Sequence, residues 1–83
     1  MEGYISKKTR ILAILTTART MKKWLLRKEL YRIASRGYVD RLLVNLLDEG
    51  LIERKGSRLH YLYRGTEKSL LSLQKEGQLP RAP

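Results

Sequence analysis

The stretch that leaves this chain the least freedom is residues 35–64, SRGYVDRLLVNLLDEGLIERKGSRLHYLYR. Val39, Leu42, Leu43, Leu46 and Leu47 recur at the spacing of one helical face. Ser35 stands where an N-cap belongs, and Gly50 where helices favour a left-handed stop. At 100° per residue, the side opposite the leucines holds Gly37, Tyr38, Arg41, Val44 and Asn45, with Arg36 at its start and Asp48 near its end. Residues 51–55 and 58–64 are rich in strand formers, and Gly56-Ser57 between them is the Gly-X pair of a two-residue type II′ hairpin. A polar helix presented beside a basic hairpin suits a nucleic-acid duplex.

The two-residue turn predicts a register: Lys55 opposite Arg58, Arg54 opposite Leu59, and Ile52 opposite Tyr61. Ile52, Leu59, Tyr61 and Tyr63 would then share one face of the ribbon. Like charges directly opposed at the tip are unfavourable, and an anionic partner would relieve them.

Ahead of this stretch, Ser6 is placed to cap a helix in which Ile11, Leu12, Leu15 and Ala18 form one face, with Ile14 at its margin. The three threonines of residues 16–20, TTART, predict a break there. A second helix is expected over residues 21–31, MKKWLLRKELY, with Thr20 as its cap. In it Trp24, Leu25, Leu26 and Leu30 face inward, while Lys22, Lys23, Arg27 and Lys28 lie outside. Trp24 is expected to bury its ring between helices. Arg32, Ile33 and Ala34 make a short connection to Ser35, and two helices so joined form a helix-turn-helix unit. After the hairpin, Thr66 opens a last helix, TEKSLLSLQKE, which ends before Gly77. Leu70, Leu71 and Leu73 are too apolar for a fully solvated helix. They imply packing on the first helix or a homodimer.

The expected organisation is an N-terminal arm over residues 1–5, one domain over residues 6–76, and a disordered tail over 77–83. The fold class is mainly α with a small β-hairpin (α+β). Eighty-three residues without cysteine offer neither a disulfide nor a metal staple, and so small a core favours oligomerisation. No apolar run suits a membrane span or a signal peptide, so the expectation is a cytoplasmic, nucleoid-associated protein.

Charge says more about partners. The net charge is +10, from 18 Lys+Arg against 8 Asp+Glu. Residues 7–41 carry eleven basic side chains against Glu29 and Asp40, whereas residues 42–53 carry only acids. Such clustering makes a one-sided positive field that attracts polyanions.

The order of three basic helices, a hairpin and a further helix resembles a winged helix-turn-helix domain. Leu46-Leu47-Asp48-Glu49-Gly50-Leu51-Ile52-Glu53-Arg54 is similar to the passage ending the recognition helix of MarR-, PadR- and ArsR-type regulators. Tyr63-Arg64-Gly65-Thr66-Glu67-Lys68 resembles their strand-to-helix junction, with Gly65 where leucine is usual and Ser69 where glycine is usual. The resemblance covers about residues 6–76. It implies a small transcription regulator, a repressor, whose recognition helix enters the major groove of double-stranded DNA while the wing touches backbone or minor groove. The positions that fall on the helix are Arg36, Gly37, Tyr38, Arg41 and Asn45. Those on the wing are Arg54, Lys55, Ser57 and Arg58, and Lys22, Lys23 and Arg27 would hold phosphates. Arg41 suits a forked pair with guanine and Asn45 a bidentate pair with adenine.

An enzyme is not expected. His60 is the only histidine, with Glu53 the nearest carboxylate across the predicted ribbon, and no phosphate loop, paired carboxylates or metal spacing is present. No cofactor or small-molecule ligand is implied. Two alternatives stay open beside the repressor: an architectural protein that coats any duplex, and a winged-helix adaptor that binds protein.

Overall fold

The computed structural model describes residues 5–77. Its elements are α1 (Lys7–Thr20), β1 (Leu25–Leu26), a 3-10 helix (Arg27–Arg32), α2 (Arg36–Asp48), β2 (Ile52–Lys55), β3 (Leu62–Gly65) and α3 (Glu67–Lys75). The strands form one antiparallel sheet in the order β1-β3-β2. The protein is a small α+β fold. Among the described residues no helix is long and apolar enough to cross a membrane. The expected arm and tail lie outside the described residues, apart from Ile5 and Gly77.

Each α-helix starts at the expected cap. The hydroxyls of Ser6, Ser35 and Thr66 accept from the amides of Thr9, Tyr38 and Ser69. One core joins Ile11, Leu12 and Leu15 of α1, Val39, Leu42, Leu43 and Leu46 of α2, Leu30, Ile52, Tyr63 and Leu73. Gly50 takes φ +73°. It closes α2 by donating to Leu47 O at 3.1 Å while Leu51 N–H reaches Leu46 O at 3.0 Å. The carbonyls left over at that end are taken up by α3. Thr66 Oγ1 donates to Gly50 O (2.8 Å) and Lys68 Nζ to Glu49 O (2.9 Å), a cation where the helix dipole favours one.

Three expectations are corrected. The first is the break in TTART, because α1 runs through it to Thr20. Threonine weakens a helix when its hydroxyl competes for backbone partners. Here Thr16 Oγ1 bonds its own helix at Leu12 O (2.7 Å) and lies 2.9 Å from Ser69 Oγ of α3, fully buried. Packing against Gly65 decides the matter. A Cβ at residue 65 would lie 2.6 Å from Thr16 Cα and 2.8 Å from Ser69 Oγ. Gly65 is the notch in which α1 and α3 sit.

The second is the helix over residues 21–31. Met21 and Lys22 form a turn, with Lys22 left-handed at φ 59°. Lys23 N–H reaches Ala18 O at 2.8 Å and Lys22 N–H reaches Arg19 O at 3.0 Å, the paired closure usually made with glycine. Beyond it Leu25 pairs with Tyr63 and Leu26 with Leu62, and Glu29 Oε2 accepts from Leu26 N–H (2.8 Å) to start the 3-10 helix. The sheet edge takes backbone groups that an α-helix would have satisfied internally. Trp24 therefore lies half-buried just ahead of an edge strand, not between helices.

The third is the hairpin register. Ile52 pairs with Gly65, Glu53 with Arg64, Arg54 with Tyr63 and Lys55 with Leu62. Residues 56–61 form a six-residue loop in place of a two-residue turn, with Gly56 at φ +100° and His60 N–H donating to Ser57 O at 2.9 Å. The opposed Lys55–Arg58 pair does not form, and Leu59, expected on the inner face, is 83% exposed. Register follows from Gly65 and Tyr63, which must face α1. The slip is four residues, an even number, so Ile52 and Tyr63 keep the inward side.

Candidate nucleic-acid interface

The outward side of α2 is a polar helical surface turned to solvent. Arg36, Gly37, Tyr38, Arg41, Val44 and Asn45 are all exposed. A Cβ at Gly37 would meet nothing within 4 Å, so no internal contact requires this glycine. No ion pair forms between Arg41 and any carboxylate among the described residues. Asp40, on the flank of α2, is drawn away from this side. Its Oδ1 accepts from Tyr31 OH at 2.9 Å and lies 3.5 Å from Arg27 NH1. Burial, reinforced by the bond to Asp40 and its charge, holds the Tyr31 phenol above the usual tyrosine value. The Arg36 guanidinium lies 5.2 Å from the Tyr31 ring centre, joining the start of α2 to the 3-10 helix.

Other acids are also engaged. Glu53 Oε2 lies 3.0 Å from Arg19 NH1 and 3.2 Å from Arg64 Nε, and Glu49 Oε2 lies 3.9 Å from Lys8 Nζ. Asp48 stays exposed in the last turn of α2 and bounds the basic region there.

Arg54 lies 4.1 Å over the Tyr61 ring, which meets Tyr63 edge-on at 6.4 Å. The stacking stiffens the base of the loop. Ser57 and Arg58 are exposed in the loop itself. Lys55 does not reach off the tip: its Nζ lies 4.5 Å over the Trp24 ring, with Arg64 4.2 Å over the same ring. Between the 3-10 helix and the loop is a cleft of about 310 Å³, with Arg27, Lys28 and Tyr31 on one side and Leu59, His60 and Tyr61 on the other. Tyr31 thus borders both the cleft and the flank of α2.

The structure brings Arg36, Gly37, Tyr38, Arg41 and Asn45 onto one side of one helix, and links Arg27 to it through Asp40. It separates Lys22 and Lys23 from the loop. They precede β1, whose antiparallel pairing puts its start beside the end of β3, away from residues 56–61. Sequence reasoning missed the cation-covered face of Trp24 and the tyrosines bordering the cleft. Both depend on β1 joining the sheet, and a two-residue strand has too little periodicity to announce itself. Comparison of the chain with protein-family models, curated proteins and solved structures finds no match.

Proposed function

We propose that this chain binds double-stranded DNA as a winged helix-turn-helix protein, and that it acts as a small transcription regulator. The 3-10 helix and α2 are the helix-turn-helix, and residues 56–61 are the wing. The observation that carries this reading is the pairing of Arg41 with Asn45, one turn apart on the exposed side of a capped helix, with the neighbouring carboxylate of Asp40 committed to Tyr31 and Arg27. Arginine and asparagine are the side chains whose paired hydrogen-bonding groups match the edges of guanine and adenine in the major groove. Arg36, Arg58 and the rim cations Arg27 and Lys28 supply phosphate contacts that fix position without reading sequence.

Selection of bound sites from random duplexes tests the proposal. The expected outcome is a defined site whose preference relaxes in Arg41→Ala or Asn45→Ala, each costing about 1–3 kcal/mol of discrimination. Arg58→Ala should weaken all sites alike and lower the salt slope by about 1. Failure to bind duplexes at low salt would remove the proposal.

A second reading, the architectural coat, is favoured by Lys22 and Lys23, which put positive charge at a part of the sheet remote from the loop. Unrelated DNA that displaced the chain from every selected site equally well would establish it in place of the first. A homodimer through α3 is also proposed. Leu73 is spent in the core of its own chain at 2% exposure, so the contact would rest on Leu71, 59% exposed, with half-buried Leu70 beside it. Two recognition helices would then stand ~34–36 Å apart on a palindrome. Sedimentation as a monomer on DNA half-sites would exclude this.

A further inference from the structure

A second surface of the molecule has a different character. Along the outward side of α1 runs an open groove of about 440 Å³, floored by Ala13, Ile14, Thr17, Met21 and Leu25. Ile14 is 37% exposed and Met21 56%, and Ile5, at one end, is 41% exposed. These are large apolar side chains gathered in one place, with none of the groove's lining drawn from α2 or the hairpin. Exposed apolar side chains gathered in one groove, rather than scattered singly, suit an interaction site.

Its rim identifies the occupant. Arg10 and Lys23 line the groove, Arg10 at the end of the first turn of α1 and Lys23 just past its last. Neither forms an ion pair among the described residues. Residues 7–23 carry six cations and no acid. A second copy laid against this surface would bring cations onto cations from a chain of net charge +10. A DNA duplex would satisfy the rim but would press phosphates and sugars onto Ile14 and Met21, which gain nothing from them. The partner that meets both requirements has an apolar stripe and acidic flanks.

We propose that the α1 groove docks an acidic amphipathic helix of another protein, with apolar anchors on Ile14 and Met21 and carboxylates at Arg10 and Lys23. The separation of residues 10 and 21 along α1 is about 16 Å, which accommodates roughly three turns of a partner helix. The groove leaves α2 and the hairpin free, so a duplex held by α2 and the loop leaves room for the partner. The docking does not depend on the DNA reading and stands or falls separately from it.

The test is selection on the immobilised full chain from displayed helical peptides that share a fixed apolar stripe at i, i+3, i+4 and i+7 and vary in their flanking residues. Acidic flanks should be enriched, and a selected peptide added to the isotope-labelled chain should shift amide resonances of residues 10–25. Ile14→Glu should weaken that peptide by roughly tenfold or more, with the circular dichroism of the parent retained. Thr17→Glu, at an already exposed position, provides a second variant with the same expected direction. Enrichment of neutral or basic flanks, no enrichment, or shifts confined to the hairpin or α2 would each overturn the proposal. So would self-association of the chain abolished by Ile14→Glu, because the occupant would then be a second copy.

Discussion

α1 and α2 begin at serines in nearly the same backbone geometry, φ −63° and ψ 157° at Ser6 against φ −61° and ψ 155° at Ser35. Each also ends on the same pair of crossing backbone hydrogen bonds, one through Lys22 and one through Gly50. Between these matched ends the helices diverge. α1 is seated by Ile11, Leu12 and Leu15 and, in addition, by a buried polar contact, Thr16 with Ser69 in the notch of Gly65, and its outward side and C-cap expose Ile14 and Met21. α2 is seated by Val39 and three leucines, tied at its edge by Tyr31 and Asp40, and turns Arg41 and Asn45 outward. Capping decides where a helix lies along the chain. The outward residues decide what it can meet, and there the two helices differ, α1 turning apolar side chains to the surface and α2 polar ones.

The largest way to break this comparison is at the seat of α1. Gly65→Ala puts a methyl group into Thr16 and Ser69, which can move only by lifting both α1 and α3. The expected loss is about 3 kcal/mol, read as a fall in the urea midpoint. A change within 0.5 kcal/mol would mean that α1 is not held in this notch.

A second, smaller effect compares the two helix ends directly. Lys22 adopts a left-handed conformation that costs a side-chain-bearing residue about 1 kcal/mol, whereas Gly50 adopts it freely. Lys22→Gly should therefore stabilise the chain by about 0.5–1 kcal/mol, and Gly50→Lys should destabilise it by about 1 kcal/mol. Thermal midpoints of the two variants, moving in opposite directions, would show that the closures are equivalent.

The smallest effect concerns the edge of α2. Tyr31→Phe removes one partly buried hydrogen bond to Asp40, for about 0.5–1.5 kcal/mol at neutral pH. Because the folded phenol titrates above its usual value, chiefly through burial and then through Asp40, its contribution is complete below the ordinary tyrosine pKa of about 10 and is lost as pH rises through the raised value. Urea midpoints across that alkaline range should fall more steeply for the parent than for Tyr31→Phe.

The legible parts of the fold were those with local chemistry. Ser6, Ser35 and Thr66 bond amides three residues ahead, and Gly50 relaxes a single backbone conformation, so each can be seen in a few residues of sequence. The inward side of α2 was legible for a similar reason, because periodicity is a property of the segment itself. Its outward residues followed by elimination.

What had to wait for tertiary structure were choices made between distant segments. TTART stays helical because Ser69, 53 positions away, and Gly65 give Thr16 a buried place. The turn after α1 is closed by a lysine where glycine would have signalled it, and Leu25 and Leu26 become a strand only because β3 lies open beside them. The hairpin slips four residues because Gly65, and no residue with a side chain, can oppose Ile52 beneath α1. Lys55 then settles over Trp24. By itself the sequence determined which residues would be helical at α2, which side of it would be buried, and that the chain would be strongly positive. Close packing at one glycine decided the register, and the open edge of β3 decided the strand number and with it the surroundings of the basic side chains, since fit between remote segments leaves no periodic trace along the chain.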